Sequence, residues 1–110
     1  VIEMLSAAAH TEVASSTDRF STTCVYVVKS GLAYKIGYST NLKQRVSAIS
    51  TGCPDPVTVE IVIHGAGLKE ERALHRKFAS KRTTGEWFLL DAGDLCAIES
   101  FGREIASMYH

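Results

Sequence analysis

No part of this chain leaves fewer choices than Cys24 to Gly37. Cys24 to Lys29 is rich in Val and Tyr, the composition of a β-strand. Ser30-Gly31 follows, and glycine can take the positive φ that two-residue hairpin loops require. Leu32 to Gly37 then reads as the returning strand. With Ser30-Gly31 as the loop, Lys29 pairs with Leu32, and Tyr26 falls opposite Lys35. Residues so placed have Cβ atoms roughly 5 Å apart. A cation held beside a phenol favours the phenolate and lowers the tyrosine pKa.

The hairpin opens into a helix. Ser39 or Thr40 can cap it by accepting from a first-turn amide. Leu42, Val46 and Ile49 then repeat at i, i+4 and i+7 and form an apolar stripe, with Arg45 at its edge. Thr51 to Pro56 is a turn-rich break. Val57 to Ile63 is apolar at almost every position, the pattern of a central strand covered on both faces. His64-Gly65-Ala66-Gly67 lacks the glycine spacing of a phosphate cradle and reads as a plain loop.

Leu68 to Ser80 is a second helix, with Leu68, Glu71, Leu74, His75 and Phe78 on one broad face. A carboxylate on a core-facing side is costly unless it is paired or holds a metal ion, which marks Glu71. Its neighbour Glu70 points to solvent. Lys81 to Gly85 is a basic turn, and Glu86 to Leu90 a short edge strand. Asp91 can cap a last helix, with its stripe at Leu95, Ile98, Phe101, Ile105 and Met108. The expected fold is a small α+β domain, a three-stranded antiparallel sheet flanked by helices. Residues 1–23 read as a poorly ordered arm with a short helix near Ile2 to His10. Residues 24–90 form the body, and 91–110 a helix packed on it.

The chain has 110 residues, enough for one domain with one modest core. No apolar run approaches the ~20 residues of a membrane helix, and the first residues lack the basic start of a signal peptide. Three widely spaced cysteines show no zinc-site spacing and read as free thiols of a reducing, cytoplasmic setting. The formal net charge is zero, but it is unevenly spread. The first 23 residues and the last 20 are acidic. Residues 24–90 carry ten Lys or Arg against five acids. A basic body suits a phosphate backbone. At least half of these bases are accounted for by solvated helix faces alone.

Several pieces resemble one family. Cys24-Val25-Tyr26 and Lys35-Ile36-Gly37 are similar to the two half-motifs of the GIY-YIG nuclease superfamily. Ser39 to Arg45 resembles its small-polar run leading to an arginine. Glu71-Arg72-Ala73-Leu74-His75 and Gly85-Glu86-Trp87-Phe88 resemble a compact phage and bacterial branch. This resemblance implies a metal-dependent endonuclease acting on DNA, expected to be double-stranded. It implies Tyr26 as general base or proton relay, Arg45 as phosphate clamp and Glu71 as ligand of Mg²⁺ or Mn²⁺. Lys35 stands where the family has a second Tyr and would hold phosphate or activate Tyr26, while Tyr34 should face away from Tyr26. His75 joins the expected site. Lys35, Tyr38, Lys43, Arg45, Arg76, Lys81 and Arg82 are the expected DNA contacts. Two other classes stay open: a DNA-binding module without catalysis, and a protein-interaction or regulatory domain. A monomer or a weak dimer fits the sequence equally.

Overall fold

In a computed structural model, which describes residues 11–13 and 23–107, the Val- and Tyr-rich run lies at the centre of a five-stranded sheet. The strands are β1 (Thr11–Val13), β2 (Cys24–Ser30), β3 (Ala33–Ser39), β4 (Val57–His64) and β5 (Trp87–Phe88). Their order across the sheet is β1-β4-β2-β3-β5. Strands β4, β2, β3 and β5 pair antiparallel, and β1 adds to β4 in parallel. Three helices complete the domain: α1 (Leu42–Gly52), α2 (Leu68–Lys77) and α3 (Ala92–Ser107). The class is the α+β one that the sequence indicates, with the sheet extended at both edges. One extension, Thr11–Val13, corrects the expectation of a poorly ordered arm at those three positions, because β4 offers them a free edge. The expected helix near Ile2 to His10, and Met108, lie outside the described residues.

The hairpin loop is Gly31-Leu32, one residue further on than expected, so Ser30 pairs with Ala33. The reason is steric. Gly31 has φ +61° and no described residue other than glycine has a positive φ. Glycine thus takes the first central position of a type II′ turn, where only that residue needs a positive φ. Placing Ser30 there would force a residue with a Cβ into the left-handed region. The shift moves each β2 residue to a partner two positions later on β3. Tyr26 therefore meets Gly37, and Val28 meets Lys35. Because the change is two residues, every side chain keeps its face of the sheet.

Two apolar layers sandwich the sheet. On one side Cys24, Tyr26, Val28, Val57, Val59 and Val62 pack beneath α1 through the buried Val46, with Leu42 and Ile49 alongside. On the other, Val25, Val27, Tyr34, Ile36, Ile61 and Ile63 meet Leu74 and Phe78 of α2 and Ile98 and Ile105 of α3. The near-continuous apolar run of β4 comes from a bulge. Val27 pairs with Ile61 and Val28 with Val59, which leaves Glu60 as the extra residue. Across the bulge, successive valines and isoleucines are delivered to opposite layers. β4 is therefore interior but not central; that place belongs to β2.

Local capping differs from the expected pattern in two places. Asn41, not Ser39 or Thr40, caps α1, its Oδ1 accepting from the Gln44 amide at 3.1 Å. Ser39 is buried, and its Oγ accepts from the Asn41 amide at 2.9 Å. Glu70 folds back to accept from the Gly67 amide at 2.7 Å instead of extending into solvent. Leu68, expected on the buried face of α2, is exposed. At α3, Asp91 Oδ1 accepts from the Asp94 amide and Asp94 Oδ2 from the Asp91 amide, a reciprocal cap. Cys24, Cys53 and Cys96 form no disulfide. No helix among the described residues is long and apolar enough to cross a membrane.

Candidate functional site

The site is built around a side chain that ordinary packing rules would exclude. Tyr26 is completely buried under α1, and its hydroxyl has no hydrogen-bond partner among the described residues. Its ring lies across β3 at Gly37. A Cβ there would strike the Tyr26 ring and hydroxyl, with Cε1 only 2.9 Å away. Gly37 is thus the opening that lets the phenol cross the strand. Burial pushes the Tyr26 pKa up to about 12, against the pull of the Arg45 guanidinium and with a further push from Glu86 and Glu71. This reverses the expected lowering. Lys35 sits diagonally from Tyr26 on the same face, opposite Val28, and the cation that acts on the phenol is Arg45.

Arg45 is exposed on the first turns of α1, three residues from Leu42 and one before the buried Val46. The Asn41 cap fixes where this helix starts, and Arg45 lines a groove with Ser39, Thr40, Asn41, Gln44 and Ala48. The guanidinium therefore stands between the buried phenol and an open surface.

Glu71 comes from α2. It is only 7% exposed, and no described residue forms an ion pair with it. Burial and the neighbouring Glu86 raise its pKa, while His75, Arg72 and Lys35 pull it back. His75, one turn on, brings its Nε2 to 2.7 Å from the Ile36 carbonyl. A carbonyl only accepts, so Nε2 is the donor in this bond. The ring stacks at an angle on Phe88, centroids 5.1 Å apart.

Glu86 is the functional residue that sequence reasoning left out of its site. The backbone of Ile36 holds both ends of this corner: its amide donates to the Glu86 carbonyl at 3.2 Å, and its carbonyl takes His75. Lys35 Nζ lies 3.4 Å from Glu86 Oε1 and 5.6 Å from the centre of the Trp87 ring. Donor atoms of Glu71, His75 and Glu86 all fall within 4.8 Å of one another. Two carboxylates beside an imidazole form a donor set suited to a hard divalent cation. The signal for Glu86 was present in Gly85-Glu86-Trp87-Phe88. What hid it was register, since only strand pairing puts Trp87 opposite Lys35.

The structure thus gathers Tyr26, Lys35, Arg45, Glu71 and His75 into one corner and adds Glu86. Tyr34 lies in the opposite layer, facing away from Tyr26 as expected. The wider set of expected DNA contacts is dispersed. Lys43 is exposed on α1 and Arg76 on α2. Tyr38 is half-buried, on the far face of β3 from Tyr26, near Gly67. Arg82 lies over the Phe88 ring, 5.4 Å from its centre. Lys81 is engaged within the fold: it pairs with Asp94 and, at 3.4 Å, with Asp91.

Fold and cluster together describe a small α+β domain with two carboxylates and an imidazole drawn into one corner. The chain belongs to the T5orf172 domain family, whose profile matches residues 23–102. That family comprises phage-type, nuclease-like and DNA-binding domains. No curated protein and no solved structure matches the chain.

Proposed function

We propose that this domain is a metal-dependent DNA endonuclease of the GIY-YIG type, with Tyr26, Arg45 and Glu71 as its working residues. The observation that carries the reading is the buried Tyr26 hydroxyl. It makes no well-formed hydrogen bond among the described residues, only a loose approach from the Arg45 guanidinium of α1, and it lies within electrostatic reach of a glutamate from α2 and a second glutamate before β5. A polar group held unpaired in a core costs free energy. Convergence of three elements on such a group points to a reacting atom rather than a packing residue.

Hydrolysis of a phosphodiester forms a bond from water oxygen to phosphorus and breaks the bond to a sugar oxygen. One proton must leave the water, and one must reach the departing oxygen. With its pKa near 12, Tyr26 is a neutral phenol at working pH. It acts by relaying a proton, taking one from the attacking water as its own passes to solvent, and a solvent water returns one proton to the departing sugar oxygen. Arg45 presents a planar fork to the phosphate oxygens. Its exposed position on α1 lets it meet the backbone before the reacting group is buried. Glu71 would hold Mg²⁺ or Mn²⁺, which keeps several waters and is content with few protein ligands. Such a cation would supply charge neutralisation to the phosphate and acidity to a bound water.

Supercoiled plasmid incubated with Mg²⁺, with Mn²⁺ and with chelator tests this reading beside Glu71→Ala. Nicking that needs the metal and disappears in the variant is expected. Intact plasmid in every lane, with retained retardation of DNA in a gel, would instead support a binding module without catalysis.

A further inference from the structure

Lys35 and Glu86 have no place in the roles given above, yet they border the same cluster. Glu86 brings a carboxylate oxygen within 4.8 Å of donor atoms on Glu71 and His75. Lys35 Nζ caps that carboxylate at 3.4 Å, and its side chain is only 20% exposed. Two negative groups this close repel, and the ammonium is the cation that offsets them. A second observation points into the cluster from outside it. The Tyr26 hydroxyl is fully buried, has no partner among the described residues, and feels the charges of both glutamates. Neither carboxylate bonds to it. An acid corner with an orphaned hydroxyl on one side and a lysine on the other is shaped to receive a positive, oxygen-seeking guest.

Resting on the nuclease reading above, we propose that Glu86 is a second carboxylate ligand of the divalent cation, and that Lys35 is its placeholder when the cation is away. The lysine is held by a single carboxylate oxygen, and its ammonium lies over the Trp87 ring, 5.6 Å from the ring centre. An incoming divalent ion offers Glu86 twice the charge, so the ammonium is displaced. Lys35 shares the sheet face of Tyr26. Once released, it has phosphate oxygens of the nucleic acid as its nearest alternative partners. Arrival of the metal and availability of a phosphate-binding lysine then become one event. His75 remains tied through Nε2 to Ile36 and orients the corner.

Titration calorimetry with Mn²⁺ on the DNA-free protein tests this without any turnover. Glu86→Gln keeps the shape of the side chain and should weaken Mn²⁺ binding by about tenfold or more. Lys35→Met removes the competing cation and should tighten binding several-fold. In the Glu86→Gln background the same lysine change should have no effect, because no carboxylate is left for it to release. Unchanged affinity in Glu86→Gln, or weaker binding in Lys35→Met, overturns the proposal. Glu71→Gln separates the two ideas. If it abolishes binding while Glu86→Gln leaves the affinity unchanged, only the second ligand fails. If the unaltered protein binds no Mn²⁺, the metal centre fails with it.

Discussion

Two lysines of this domain sit beside carboxylates, and their surroundings could hardly differ more. Lys81 faces Asp91 and Asp94, both of which also cap α3, and all three groups lie near the surface. Every charge there has a partner, and the partners tie the turn before β5 to the start of α3. Lys35 faces Glu86, next to a buried Glu71 with no ion pair and a phenol with no well-formed hydrogen bond among the described residues. The first arrangement is closed and has no capacity for a ligand. The second is incomplete. Charges that satisfy one another hold a fold together; charges left short are available for chemistry, at some cost in stability.

The sharpest way to break this contrast is to remove the incomplete groups and look for harm to the fold. Tyr26→Phe should lower cleavage by at least about a hundredfold, the range of a lost acid-base group. Its melting temperature at neutral pH should change little, since the deleted hydroxyl makes no well-formed hydrogen bond among the described residues and is approached only loosely by the Arg45 guanidinium. The sign of its alkaline behaviour is fixed by the raised pKa. The folded state holds the Tyr26 proton more tightly than the unfolded chain, so this contribution is intact below pH 10.0 and is lost as pH rises towards about 12. The Phe variant should therefore resist alkaline unfolding better than the parent. A marked loss of stability at neutral pH would make Tyr26 an ordinary core residue.

Glu71→Gln makes the same test from the acid side. Burial and Glu86 raise the Glu71 pKa, so the group favours folding when protonated, and that contribution is lost as pH rises through its folded value. The amide should abolish metal-dependent cleavage and raise the melting temperature at neutral pH. The gain should vanish below the ordinary carboxylate range, where the parent is neutral too. Thermal melts across pH 3 to 8, an order-of-magnitude bracket for carboxylate titration, check both halves. A variant less stable than the parent at every pH would show that the ionised carboxylate supports the fold.

Gly37→Ala joins packing to chemistry. The new methyl group meets the Tyr26 ring, so either the ring or β3 must move. Overpacking of this kind costs about 1–3 kcal/mol, and the displaced phenol should reduce cleavage as well. In a Tyr26→Leu background the stability penalty should shrink, because the ring that meets the methyl group is gone. Equal penalties in the two backgrounds would argue that the glycine serves the backbone and not the phenol.

What the sequence discloses about this domain divides along the same line. Local pattern was enough for the hairpin, for the α1 stripe of Leu42, Val46 and Ile49, and for the odd carboxylate on α2, whereas Tyr26, Arg45 and Glu71 were joined into one group only by the family resemblance. The errors come from quantities that depend on partners. The loop fell at Gly31-Leu32 because glycine must occupy the strained position, which is a stereochemical choice and not a compositional one. The Tyr26 pKa was misjudged because a cation was counted and burial was not. Glu86 was missed as a site residue because its meeting with Lys35 needs the edge pairing of β3 with β5. Lys81 was taken for a surface base because Asp91 and Asp94 lie ten and thirteen residues away.

The smallest expected effect belongs to the closed arrangement, and it completes the contrast. Asp94→Asn weakens the ion pair with Lys81 and the acceptor of the α3 cap together. Both contacts are near the surface, where ion pairs contribute little and are screened by salt. The melting temperature should fall by a few degrees at most, and less at high salt. Cleavage and Mn²⁺ binding should stay at the parent level, since neither aspartate borders the Glu71 corner. Loss of either activity at unchanged stability would mean that these ion pairs transmit to the site through β5, which lies between Lys81 and Asp91 in the chain and pairs directly with Lys35.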